Sequence, residues 1–221
     1  MVNIRKINPD QPETGVIKEA ADIIRKGGVV VFPTSSLYGL AADAYNPDAI
    51  EKLFAIKGRS HEKAILLLIS DLRDLDRLVK SVPPEARRLM EHFWPGGLTL
   101  VLEAKPEIPS ALTAGSGKIG VRLCRHPVAA ALVKSVGGPI TGTSANISGS
   151  EGCDRISRLE SRIAEKADLI LDAGVLKGGT GSTVLDMTCG FPKILREGTV
   201  PAKDIFAVLD DHSRNFVDKQ G

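Results

Sequence analysis

Two short polar pairs stand out by residue type and spacing: Lys57-Gly-Arg59 and Ser144-Ala-Asn146. Residues two apart do not share a helix face, but they lie on one side of an extended strand or strand end. The first pair offers two cations and the second offers two small hydrogen-bonding groups. Brought together, they would cradle a polyanion such as a nucleoside triphosphate. Each pair also has a plainer role open to it. Lys57 and Arg59 would complement the macrodipole at a helix C-terminus, and Ser144 and Asn146 would form a turn before Gly149. Arg122 is different, because it interrupts the apolar run Ile119-Gly-Val-Arg-Leu123. Arg196 ends Lys193-Ile-Leu-Arg196 in the same way. A charge in a strand needs a partner or a cavity, so both suggest an anionic ligand. Gly178-Gly-Thr-Gly-Ser-Thr183 is a glycine-rich turn whose open N–H groups suit a carboxylate or phosphate.

Other chemistries find less support. The four histidines (His61, His92, His126, His212) are scattered, with no H-x-x-x-H and no partnering cysteine pair, so no protein-ligated metal is expected. Gly115-Ser-Gly-Lys118 is not a Walker loop, because Leu112 and Ile119 stand where glycine and Ser/Thr are required. Gly174 to Thr180 fails too, with Thr180 in place of the lysine. Neither Gly142-Thr-Ser144-Ala-Asn146 nor Gly181-Ser182-Thr183 fits a serine-nucleophile turn.

The elements that must position these residues follow from periodicity. Val16, Ile17, Ala20, Ala21 and Ile24 form one helical stripe over residues 15–26, closed by Gly27-Gly28. Val29 to Phe32 reads as a buried strand, and Thr34 to Gly39 as a polar turn. Asn46-Pro47-Asp48 is a strong helix start, and that helix runs out near Lys57. Strands are expected over 64–70, 98–103, 119–123, 140–143, 169–172, 182–187 and 193–196. Helices are expected over 72–79, 84–93, 127–136 and 158–166. Strands and helices mix without a regular βα repeat, which predicts one α/β domain with a mixed, twisted sheet. That domain is expected to span 1–210, with 211–221 as a frayed tail.

The 221 residues, 43% hydrophobic and 25% charged, have globular proportions. A net charge of +2 is too small for general coating of nucleic acid, though it allows a local basic pocket. Three cysteines without a C-x-x-C pair suggest a reducing cytoplasm. The longest apolar run, about six residues from Ala64 to Ile69, falls far short of the ~20 that span a bilayer.

Taken in order, several segments resemble the YrdC-like family, and within it the threonylcarbamoyl-AMP synthases. They are Gly28–Tyr45 (GVVVFPTSSLYGLAADAY), Ala55–Ser60 (AIKGRS), Trp94–Glu103 (WPGGLTLVLE), Ile119–Leu123 (IGVRL), Thr143–Ser150 (TSANISGS), Gly181–Thr188 (GSTVLDMT) and Ile194–Thr199 (ILREGT). The likeness covers nearly the whole domain, and the K-x-R and S-x-N elements together are its distinguishing signature. It implies a twisted open sheet, mixed parallel and antiparallel, with flanking helices around a large basic cleft. It also implies a reaction, in which L-threonine, bicarbonate and ATP give threonylcarbamoyl-AMP and pyrophosphate. The product serves tRNA-modification proteins that act on the adenosine next to the anticodon (t6A modification).

Carried over by motif, Lys57 and Arg59 would carry the largest rate effects. Arg59, Lys63, Ser144, Asn146 and Arg196 would line the ATP phosphates, while Ser36, Arg122 and Ser182 would bind threonine. Magnesium would be held mainly through ATP. Ser36 replaces a common threonine, Ser60 and Ala64 replace prolines, and Leu68 stands where many members carry histidine. Those departures bear on amino-acid selection rather than on ATP use. Because the chain ends at Gly221, it reads as the single-domain form. Two other readings stay open. One is a module that uses the same cleft to bind double-stranded RNA or tRNA. The other is the carbamoyl-transfer domain of hydrogenase maturation, which normally sits beside zinc-finger and acylphosphatase-like modules.

Overall fold

Apolar side chains on a strand need cover on the face toward which they point, and this chain's strands assemble for that purpose into one ten-stranded sheet. The computed structural model describes residues 2–217. In chain order the first elements are β1 (Ile4–Lys6), α1 (Thr14–Arg25), β2 (Val30–Pro33), β3 (Tyr38–Ala41), α2 (Pro47–Lys57) and β4 (Leu66–Ile69). Next come α3 (Leu75–Leu78), α4 (Pro84–Phe93), β5 (Leu98–Glu103), α5 (Ser110–Thr113), β6 (Lys118–Leu123) and α6 (Pro127–Val136). The last are β7 (Ile140–Ser144), α7 (Ser161–Lys166), β8 (Leu169–Asp172), β9 (Thr183–Asp186), β10 (Lys193–Arg196) and α8 (Ala202–Val217).

Strand order is β1-β8-β2-β3-β7-β4-β6-β5-β9-β10, an open sheet that mixes parallel and antiparallel pairs. Pairs β1/β8, β2/β8, β4/β6 and β5/β9 are parallel. The other neighbours run antiparallel. This is the mixed α/β sheet with flanking helices expected from the sequence.

Two cores lie on opposite faces. Val29, Val31, Leu67, Ile69, Leu100, Ile119, Val121 and Leu185 join one large cluster with side chains of α2, α4 and α8. Val30, Phe32, Leu68, Leu169 and Leu171 face the other way, against Ala20, Ala21 and Ile24 of α1 and Val128 and Leu132 of α6. Helix cover on this second face stops at β4. Over β6, β5, β9 and β10 no helix among the described residues covers the same face, and that half of the sheet forms a cleft.

Local structure departs from expectation in a few places. The stretch read as a polar turn, 34–39, ends inside β3, because Tyr38 to Ala41 pairs with both β2 and β7 and is buried throughout. The helical pattern over 72–79 splits into a 3-10 turn (Leu72–Asp74) and the short α3. The helix expected from Arg158 starts at Ser161, after a 3-10 turn at Ile156–Arg158. β1, α5 and α8 were not anticipated. β1 is exposed along its length, so it carries no hydrophobic alternation. Part of the expected frayed tail falls on residues 211–217, whose backbone continues α8, and the rest, 218–221, lies outside the described residues.

Candidate active site in the uncovered half of the sheet

Strand alternation places the site. On β6, Lys118, Gly120 and Arg122 face the cleft while Ile119 and Val121 face the core. On β5, Thr99 and Val101 do the same between core residues Leu98, Leu100 and Leu102. On β9, Val184 and Asp186 extend the row begun by Ser182. Register aligns these positions across strands: Leu68 pairs with Arg122, Val101 with Gly120 and Asp186, and Val184 with Thr99 and Arg196. The resulting cleft is about 450 Å³, within the usual range for a small-molecule site. Its second wall is Thr34, Ser36, Leu37 and Gly39 from the β2–β3 turn, with Thr143 and Ser144 at the end of β7.

Among the described residues four cations line this space, Arg59, Lys118, Arg122 and Arg196, against one carboxylate, Asp186. Lys118 is neutralised by Asp186 at 3.2 Å. Burial works to raise the Asp186 carboxyl, but bonds from the Thr188 hydroxyl and N–H and from Lys118 outweigh it and hold the group below its ordinary value. Among the described residues none of the three arginines makes an ion pair with Asp or Glu. Burial lowers the Arg122 guanidinium from its usual value; nearby Cys124 opposes the shift and Arg196 adds to it. Two crowded, unpaired cations on a sheet floor call for an anion.

The Lys57 pair takes a form that strand spacing did not predict. Lys57 is the last residue of α2, and Gly58 caps it in the left-handed conformation with φ 56°. That turn, which favours glycine, separates the two cations. Arg59 swings into the cleft lining, held by Nε to the Lys63 carbonyl (3.0 Å) and Nη2 to the Ala64 carbonyl (2.7 Å). Lys57 instead turns inward and is 1% exposed. Its ammonium donates to the Ser144 carbonyl (2.5 Å), the Asn146 carbonyl (2.9 Å) and Asn146 Oδ1 (3.4 Å). Burial, together with the Arg59 charge, pulls its pKa down to about 8, against the pull of Glu160.

Of the residues expected from the sequence, Ser36, Arg59, Arg122, Ser144, Ser182 and Arg196 come together in the lining. Lys57, Asn146 and Lys63 do not line it. Lys57 and Asn146 stand behind Ser144, whose hydroxyl bonds Asn146 Oδ1, while Asn146 Nδ2 ties down the Ile147 and Ser150 carbonyls. Lys63 is exposed beside Arg59. Arg196 bonds the Ser182 carbonyl through Nη2 (2.7 Å) and Nε (3.2 Å). Thr34, Thr99, Lys118, Thr143 and Asp186 were missed. The signal was there, since Lys118 and Thr99 share the strand alternation of Arg122 and Leu98-Thr-Leu100.

A family model matches residues 22–198, labelled Sua5, YciO and YrdC and described as "Telomere recombination". The chain belongs to this family. It is 35% identical over 211 residues to the threonylcarbamoyl-AMP synthase of Pyrococcus abyssi, covering 96% of this chain and 61% of that one. Against the Bacillus subtilis threonylcarbamoyl-AMP synthase it is 37% identical over 194 residues, covering 87% and 56%. The chain thus spans somewhat over half the length of these curated relatives. It superposes on the crystal structure of P. abyssi Sua5 complexed with L-threonine with a TM-score of 0.87, covering 93% of this chain and 60% of that one. It also matches E. coli YciO, with TM-score 0.83 and 33% identity, covering 92% and 98%.

Proposed function

We propose that this protein is an L-threonylcarbamoyladenylate synthase, a nucleotidyltransferase that converts L-threonine, bicarbonate and ATP to threonylcarbamoyl-AMP and pyrophosphate. The observation that carries the reading is the set of three arginines on one cleft, none with an acidic partner among the described residues, beside a row of hydroxyls. Support comes also from relatives named for this activity and from one of them solved with L-threonine.

The substrates supply the nucleophile. Threonine's neutral amine condenses with bicarbonate to a carbamate, the amine proton leaving with the bicarbonate hydroxyl as water. A carbamate oxygen then attacks the α-phosphate, and the bond to the β-phosphate breaks to release pyrophosphate. No protein nucleophile is needed. The chain's residues bind, orient and neutralise. Arg122 holds the threonine carboxylate, with Ser36 and Ser182 hydrogen-bonding the amino acid. Arg59 and Arg196 meet the phosphates with Ser144, and Lys63 reaches them from the rim. Lys57 and Asn146 fix the Ser144 backbone from behind, so their contribution is geometric.

Magnesium, when bound with ATP, supplies further charge neutralisation on the polyphosphate. The cleft's one carboxylate, Asp186, is already engaged by Lys118 and Thr188. The ion would therefore be held by phosphate oxygens and water. The product would pass to tRNA-modifying proteins in the cytoplasm, where the three free cysteines would stay reduced.

The test is pyrophosphate release from ATP, with and without threonine and bicarbonate. Release that requires both is expected. Salt-sensitive RNA binding without ATP turnover would replace this reading with the RNA-binding one.

A further inference from the structure

Thr99 is fully buried, lines the cleft, and belongs to no role so far described. Its Oγ1 lies 2.8 Å from Ser182 Oγ, and it has no other side-chain hydrogen bond among the described residues. Its orientation is fixed from the opposite side. A Cβ placed on Gly120 would stand 3.2 Å from the Thr99 methyl, so the bare glycine is where that methyl lodges. With a stiff β-branched χ1, seating the methyl over β6 directs the hydroxyl toward β9.

Proton counting then decides what Ser182 can do. Its oxygen has two lone pairs and one proton. Arg196 Nη2 donates to it at 3.3 Å, taking one lone pair. Geometry allows either hydroxyl to donate across the Thr99–Ser182 contact. The fully buried Thr99 hydroxyl has no other acceptor among the described residues, so the donation is assigned to it and takes the second lone pair. Ser182 is left with its own proton and nothing to accept with. We infer that Thr99 is a positioning residue that makes Ser182 an obligate donor, so that Ser182 reads an acceptor oxygen of the bound amino acid, its carboxylate or nascent carbamate, and not its ammonium. A bond to an anionic oxygen in turn strengthens the Thr99 and Arg196 bonds behind it. The inference rests on the synthase reading and assigns Thr99 within that same cleft.

Calorimetric titration of L-threonine against a double-mutant cycle of Thr99→Val and Ser182→Ala tests it. Thr99→Val keeps the shape and removes the proton. It should weaken threonine binding about tenfold, raise KM far more than it lowers kcat, and leave the melting temperature nearly unchanged. Thr99→Ser should bind within about threefold of the parent. In the Ser182→Ala background, Thr99→Val should add almost nothing. Should Thr99→Val fail to fold, Thr99→Ala completes the same cycle. Parent-like binding by Thr99→Val, or effects that simply add, would overturn the inference and leave the synthase reading intact. A parent protein that binds no threonine would overturn both.

Discussion

Lys57 brings a charge to a position that is 1% exposed, and it stays there because three oxygens accept hydrogen bonds from its ammonium. Its folded-state pKa of about 8 lies below the ordinary lysine value of 10.5. The unfolded chain therefore holds the proton more tightly, and the cost of burying the charge is present in full below pH 8. That cost fades as pH rises from about 8 toward 10.5, for a swing of roughly 3 kcal/mol. Urea unfolding of the parent and Lys57→Met at pH 7 and pH 10 should show the parent gaining on the variant as pH rises. Parallel profiles would mean that the ammonium is not buried in solution. Arg59 contrasts with it two residues on. Its guanidinium is anchored by two carbonyls of its own loop and faces the cleft. Arg59→Ala should lower kcat/KM about a hundredfold or more while shifting the melting temperature by only a few degrees. Loss of the fold instead would return Arg59 to a purely structural role.

At the scale of elements, what the sequence made legible was whatever a period of 2 or 3.6 writes down. The stripe of α1, the Asn46-Pro47 start of α2 and the runs of β5 and β6 appear where expected, and Asn46 does cap α2 through the Ala49 N–H at 3.1 Å. β3 was hidden because Gly39 interrupts its alternation and the polar Thr34-Ser-Ser run precedes it. The divergence of Lys57 from Arg59 was hidden because a single left-handed glycine redirects the chain, which spacing alone does not record. Nor could spacing show that Lys57 and Asn146 brace the site from behind, since that depends on which loop packs over α2. The segment after β10 shows how tightly such joints are made. A Cβ on Gly198 would fall 2.3 Å from the Gly181 carbonyl oxygen and 2.6 Å from the Thr183 nitrogen, all backbone that cannot yield. Gly198→Ala should cost about 2–3 kcal/mol and weaken ATP binding, because Arg196 and Ser182 meet at this joint. Unchanged urea midpoints and ATP affinity would show that the joint opens freely.

For the molecule as a whole, one sheet carries both stability and site, divided by face and by strand. Helices α1 and α6 cover β8 and β2 on the second face, and among the described residues no helix covers β5, β6 and β9 there. Ligand effects should therefore stay local. Hydrogen exchange with ATP and threonine added should slow in β5, β6, β9 and the segment 148–158, whose Ser150 carbonyl is tied to Asn146. Exchange in α4, on the far face, should not change. Equal protection of 148–158 with and without ligands would remove that segment from the site.

The half-covered sheet also sets how this chain is free to vary. Along β5, β6 and β9, successive residues answer to different demands: Leu98, Leu100, Ile119, Val121 and Leu185 to the core, and Thr99, Val101, Gly120, Arg122 and Val184 to whatever enters the cleft. A saturation scan scored separately for abundance and for turnover should give two interleaved combs, offset by one residue. On these strands a new substrate preference could be selected at every second position while the tooth beside it, and the fold it holds, is left alone.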